Sequence, residues 1–272
     1  MIDAIANTLQ ADDVFALLSN HAVTVALATT RIAVAFQMLP IFSNQLVPAL
    51  VRNAIFMALA LVTIVVHPIL TVENVGAQGW LLLFAKEILI GVAIGVFFGI
   101  FLWAFEAAGM VVDTQIGMSV AQVLDPLSGH QTSLLGLFLG RLANYIFMVA
   151  GGLMLLAGVT MESYQLWPIH KVLPDLSQAG IILFESEFSY FFHLMVLIAA
   201  PFVVVVFLID LVMGLINRYA QQFNVFFISM SLKMLAAVAV LMLTMGSLID
   251  LLVFKLHDHS EELLDILRKL LS

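Results

Sequence analysis

The sequence predicts an all-α membrane protein: a bundle of about six long hydrophobic helices with hairpin elements and an amphipathic C-terminal tail. Two observations carry that prediction. Apolar residues make up 63% of the 272 residues and charged residues only 10%, against about 45–50% and about 25% in ordinary globular chains. The apolar residues also come in long runs, at roughly 14–39, 50–72, 80–109, 133–158, 188–216 and 225–254. Each run is near or above the about 20 residues a helix needs to cross hydrocarbon. No period-two alternation suggests a barrel, and in lipid only helices and closed barrels satisfy their own backbone polar groups.

Taken in order, the chain opens weakly amphipathic, with Ile2, Ile5 and Leu9 on one helical face and Asp12 or Asp13 as a cap for the first long helix. Pro40 and Pro48 bracket a bent, partly rigid joint between the first two runs. The longest polar connector spans 159–180 and carries Trp167-Pro168. Asn217–Asn224 is short enough to make the last two runs a helical hairpin. Beyond Lys255, Ser260 precedes Glu261-Glu262 as a helix start, and Leu263, Leu264, Leu267, Leu270 and Leu271 share a face. This tail suits a partner or a membrane surface. The expected organisation is an N-terminal helical part over 1–180 containing an unusual insert at 106–131, a hairpin over 181–254 and a tail over 255–272.

Charge and composition exclude several function classes. A net charge of -8 argues against nucleic acid as a partner, which requires clustered Lys and Arg. The absence of cysteine removes disulfides and thiolate metal sites. The first basic residue is Arg31, so a cleaved leader with a basic start is not expected. Arg52 and Arg218 fall at connections that share one side, which the positive-inside rule makes cytoplasmic.

Charges inside the apolar runs are costly in lipid and turn toward a bundle interior or an aqueous path. Arg31, Lys86, Arg141 and Lys233 stand against Glu87, Glu106, Asp210 and Asp250, so mutual pairing is arithmetically open. Because they are spread over all the runs, structural ion pairs are the expectation rather than a proton relay. Gly91, Gly95 and Gly99 lie on one helical face at a spacing that lets another helix approach closely, and Gly136 and Gly140 repeat it. His257-Asp258-His259 and Glu185-x-Glu187 lack further ligands nearby. No nucleotide-binding, zinc-protease or nucleophile-elbow pattern is present. The expectation is therefore no enzyme, no catalytic residue, no metal and no cofactor.

The insert Glu106–Gln131 is too apolar for a solvated connector and too polar, at Asp113, Gln115, Ser119 and Gln122, to face lipid. Gln115, Ser119 and Gln122 fall at helical spacing, with Ile116, Val120 and Val123 one step around. A short amphipathic helix flanked by glycines is expected here. Met110 and Met118 are flexible apolar side chains able to seal around something variable. From these residues alone, a movable plug and an ordinary interfacial loop packed on the bundle stay equally open.

Several strings then add up. Arg31, Pro40-Ile41-Phe42-Ser43, Pro48, Val51-Arg52 and Pro68 are followed by Lys86-Glu87 and Leu89-Ile90-Gly91. Phe105-Glu106-x-x-Gly109 leads to Asp113-x-Gln115-x-Gly117-x-Ser119, Asp125-Pro126 and Gln131. Pro201 precedes Asp210, Gly214, Asn217-Arg218, Gln222, Asn224-Val225-Phe226 and Lys233. In order and spacing, from about Arg31 to about Lys233, the chain resembles the FliR/SctT family of type III secretion export gates. Glu162–Pro168 and Leu215–Tyr219 look more like the injectisome branch than the flagellar one. Many members carry proline where this chain has Gln221 and Ser231.

The resemblance implies a pore-forming subunit in the bacterial inner membrane, within the basal body of the secretion apparatus. It implies several copies of two smaller export-gate membrane subunits as partners, along with further apparatus proteins, and unfolded secreted proteins as cargo. The segment matching Met110–Leu124 would contribute to a plug, with Met110, Val111, Val112, Gln115, Gly117 and Met118 at the constriction. Arg31, Arg52, Lys86, Glu87, Gly91, Gly95, Gly99, Arg218 and Lys233 would serve packing and assembly. The rival reading is a subunit of a secondary transporter for small solutes or ions, which needs discontinuous helices and charges converging on one midplane site.

Overall fold

A computed structural model describes residues 11–43, 46–66, 77–117, 133–169, 179–219, 222 and 224–271. Seven α-helices and one 3-10 turn account for nearly all of them: α1 (Ala11–Gln37), the 3-10 turn (Pro40–Phe42), α2 (Ala49–Val66), α3 (Ala77–Ile116), α4 (Leu134–Val149), α5 (Gly152–Leu166), α6 (Ala179–Tyr219) and α7 (Val225–Leu271). The all-α, membrane-protein-like class expected from composition is what the chain adopts. Among the described residues, three helices are long and apolar enough to span a membrane, Gly79–Ile116, Glu185–Tyr219 and Val225–Leu256, and α4 with α5 adds a fourth if they are one broken span.

The chain divides into two compact units: Met1–Gly99 with Leu153–Gly180 and Glu261–Ser272, and Ile100–Gly152 with Ile181–Ser260. In the first, the proline-bracketed joint is a packed corner. Phe36 of α1, Phe42 of the 3-10 turn and Phe56 of α2 meet with ring centroids 5.3, 5.7 and 5.8 Å apart. Pro40 starts the turn because its missing N–H is not needed there. Gly91 and Gly95 do what their spacing predicts. A Cβ on Gly91 would lie 2.7 Å from the Arg31 carbonyl oxygen, and one on Gly95 would lie 2.6 Å from Met38 Cβ. Their absence lets α3 press on α1. Gly99, at the end of the same stripe, is buried.

In the second unit, α3 crosses α4 at Gly109 and Gly136. A Cβ on Gly109 would lie 2.5 Å from the backbone of Gly136, and one on Gly140 would lie 3.3 Å from Glu106 Cβ. Phe101 of α3 meets Tyr190 of α6 edge-on at 5.9 Å. Pro201 sits inside α6, which runs on despite the hydrogen bond that proline cannot donate.

The structure redraws three boundaries. The run at 133–158 is broken: Gly151 adopts φ +82°, and the amides of Ala150 and Gly151 close on Ile146 and Met148, so α4 stops and α5 starts afresh. Gly109 does not interrupt its helix, which runs through it to Ile116. No new helix starts at Ser260, because α7 is continuous from Val225 to Leu271. Residues 44–45 of the proline-bracketed joint, 67–76, the rest of the insert at 118–132, 170–178 of the polar connector, 220–221 and 223 of the last connection, and the start of the chain before Ala11 lie outside the described residues.

Candidate functional site

Two polar centres lie among the apolar helices, one in each unit. In the first unit, Arg31 of α1 and Glu87 of α3 are fully buried. Arg31 Nε donates to Glu87 Oε2 at 2.6 Å and Nη2 donates to Oε1 at 3.1 Å, a two-pronged pair. Nη1 donates to Ser163 Oγ at 2.9 Å, and Nη2 also reaches the Trp167 carbonyl at 3.0 Å. The guanidinium lies 4.0 Å above the centre of the Tyr164 ring, whose hydroxyl donates to the Ala28 carbonyl at 2.6 Å. Lys86 approaches Glu87 Oε1 at 2.8 Å and donates to the carbonyls of Pro168 and Ile169 at 3.0 Å each.

The cluster holds two cations and one carboxylate. The excess positive charge is met by the carbonyls just past the end of α5, where the helix dipole is negative. Three helices and the Trp167–Ile169 turn are thereby tied at one buried point. The pairing expected from the count of charges is present here, with partners that counting alone does not reveal. Arg52 donates from Nη1 to the Phe42 carbonyl at 3.0 Å and secures the proline corner. Arg218 lies in the last turn of α6, where a cation is favoured by the dipole.

The second centre surrounds the end of α3, the first half of the 106–131 insert. Asp113 is buried. Its Oδ2 accepts from Ser133 Oγ at 2.6 Å and from the Leu135 amide at 2.9 Å. Ser133 in turn accepts from the Gly136 amide at 2.9 Å and caps α4. A carboxylate at that N-terminus is favoured by the dipole, so the described part of the insert is clamped to the start of α4. Lys233 of α7 forms an ion pair with Asp210 of α6 at 2.5 Å and donates to the Gln115 carbonyl at 3.3 Å. Ser229 donates to the same Asp210 Oδ1 at 3.3 Å.

The residues placed at a constriction by resemblance divide by exposure. Met110 and Gln115 are exposed, Val111 is half-buried and Val112 is fully buried in its own unit. Gly117 adopts φ +96° with nothing within 4 Å of a notional Cβ, the left-handed residue that commonly ends a helix. Met118 lies outside the described residues. Asp113, Ser163 and Tyr164 have structural roles that sequence reasoning did not assign. Asp113 stood out as polar in an apolar stretch, whereas nothing in the sequence singles out Ser163. Arg141 and Asp250 are exposed and, with Glu106, make no salt bridge among the described residues.

Similarity to known proteins fits this picture. The chain is 34% identical over 231 residues to the Yop proteins translocation protein T of Yersinia pestis, covering 84% of this chain and 87% of that one. It is 31% identical over 207 residues to the secretion system apparatus protein SsaT of Salmonella typhimurium, covering 74% and 78%. It is 30% identical over 227 residues to the flagellar biosynthetic protein FliR of Bacillus subtilis, covering 79% and 83%. Residues 22–258 match the family described as bacterial export proteins, family 1. The chain belongs to that family, the FliR/SctT membrane components of type III secretion.

Proposed function

We propose that this chain is a pore-forming subunit of a type III export gate in the bacterial inner membrane, within the basal body. It helps shape and seal a conduit for unfolded proteins and carries out no catalysis. The carrying observation is the end of α3, where Met110 and Gln115 are exposed on a helix that stops abruptly at Gly117. Val112 and Asp113 anchor the opposite face of that turn in the unit's own interior. A seal needs both: a fixed base and a flexible apolar side chain, here Met110, turned outward. Val111, Gly117 and Met118 belong to the same constriction. The relatives named for translocation and secretion apparatus support the wider role, and their higher identities favour the injectisome branch over the flagellar one.

The partners in this reading are several copies of two smaller export-gate membrane subunits and further apparatus proteins. The exposed apolar side chains of the 181–254 hairpin offer a surface for them to cover, and Arg31, Arg52, Lys86, Glu87, Gly91, Gly95, Gly99, Arg218 and Lys233 serve packing and assembly. The test is Gly117→Glu in the native apparatus. The substitution should reduce secretion or raise ion leak across the membrane. Secretion and leak both at wild-type values would contradict the role of this turn in the seal.

A further inference from the structure

The two polar centres differ in how deeply the chain buries them, and that difference points to a second role for Lys233. The Arg31–Glu87 pair has no solvent exposure on either side. Separating it would strand charges in an apolar interior. The Lys233–Asp210 pair is 11% and 44% exposed, so the chain itself covers it only in part. Opening this pair strands less charge in the chain's own interior than opening the first would.

The surroundings of the last turn of α3 point the same way. Ile116 lines two cavities, one of about 430 Å3 shared with Gly214 and Ser229 and one of about 150 Å3 on the side of Phe138 and Ala237. The Ile116 side chain is buried, so apolar contacts hold it, and the two clefts leave room beside the turn. Gly214 lines the larger cleft on its open side, where a Cβ would meet nothing within 4 Å. A polar contact also ties the turn on the hairpin side: the Lys233 ammonium donates to the Gln115 carbonyl, 3.3 Å away. That carbonyl is among the last four of the helix, which have no partner within it, and it sits at the dipole's negative end.

We propose that Lys233 and Asp210 form a polar latch that positions the end of α3, and that the larger cavity is the space into which the turn Thr114–Gly117 moves when the latch opens. Asp210 holds the Lys233 side chain in register, and Lys233 holds the helix end. Lys233 is therefore a positioning residue with two settings. Latched, it fixes the exposed face carrying Met110 and Gln115. Unlatched, it leaves the last turn free to shift or unwind toward the cleft, and Gly117 supplies the backbone freedom to change direction. The functional consequence rests on the reading of this turn as part of the seal; the latch itself does not.

The experiment follows amide hydrogen exchange across α3 in the full chain, extracted from its own membranes with whatever apparatus proteins accompany it. In Lys233→Gln, amides at 114–117 should exchange about five- to tenfold faster than in wild type, with those at 94–105 unchanged. Lys233→Arg, which keeps a cationic donor, should retain most of the protection. Adding Asp210→Asn to Lys233→Gln should accelerate exchange no further, because both act through one contact. If Lys233→Gln does not accumulate, Asp210→Asn alone should still raise exchange about two- to threefold. Unchanged exchange, or two effects that simply add, would overturn the latch. Faster exchange with unchanged ion leak would leave the latch standing and count against the turn as part of the seal.

Discussion

Helix α3 and the α6–α7 hairpin are all long and apolar enough to span a membrane, yet they lie in opposite surroundings. In the most apolar window of Gly79–Ile116, 61% of residues are buried by the chain itself, against 22% for Glu185–Tyr219 and 22% for Val225–Leu256. The difference lies in the small residues. Gly91, Gly95 and Gly109 each have a neighbouring helix where a Cβ would be, whereas Gly214 and Gly246 in the hairpin face open space. Leu208, Leu211, Val212 and Leu215 of α6 and Leu232, Leu235, Met242 and Leu243 of α7 are exposed. Hydropathy therefore reports how apolar a helix is, and says nothing about who covers it. In α3 the chain covers itself, while the hairpin leaves its cover to lipid or to other subunits.

Substitutions that break this contrast rank by what they strand. The largest effect is expected from Glu87→Leu. It removes the one carboxylate between two buried cations and should cost about 3–5 kcal/mol. The chain should fall to low levels in membranes, and the remainder should melt well below wild type in detergent. Gly109→Ala comes next, at about 1–3 kcal/mol, because the atoms in its way are Gly136 backbone and cannot rotate aside. Thermal melting of the purified chain measures it.

Gly117→Ala should cost about 1–2 kcal/mol, from backbone strain at φ +96° alone, since there is room for the methyl group. Local amide exchange near 114–117 should report it with little change in melting of the whole chain. The smallest and most telling change is Gly214→Ala or Gly246→Ala. In the isolated chain each should be neutral or stabilising by up to about 1 kcal/mol, as alanine is the better helix former. If partner helices approach these glycines, the same variants should weaken the assembled complex, and comparing isolated chain with complex separates the two effects.

Much of the fold was legible in the sequence because long apolar runs and proline or glycine punctuation act locally. The proline corner, the close-packed face of α3 and the last hairpin all follow from such signals. The break at Gly151 was harder to see, since a glycine pair inside an apolar run is written alike whether a helix continues or stops. Gly109 misled in the opposite sense: it suggested an interruption, and it is a crossing point inside one helix. The buried cluster was legible as charges that had to pair, but not as a set of carbonyls after Trp167 completing it, because those belong to the path of the backbone. The end of α3 was legible as unusual. Its clamp depends on Asp113 meeting Ser133 and on Lys233 meeting Gln115, contacts between residues 20 and 118 positions apart, which no local pattern encodes.

The central claim is that the chain completes its own cover around α3 and depends on neighbouring apparatus subunits for the hairpin. Site-specific photo-crosslinking in the native membrane tests it directly, with the reactive side chain placed at exposed Leu211 or Leu235 and at buried Phe98 or Phe105. The account predicts adducts with other secretion-apparatus proteins from Leu211 and Leu235, and only adducts within the chain from Phe98 and Phe105. Hairpin adducts restricted to lipid, with the chain migrating as a monomer, would contradict it.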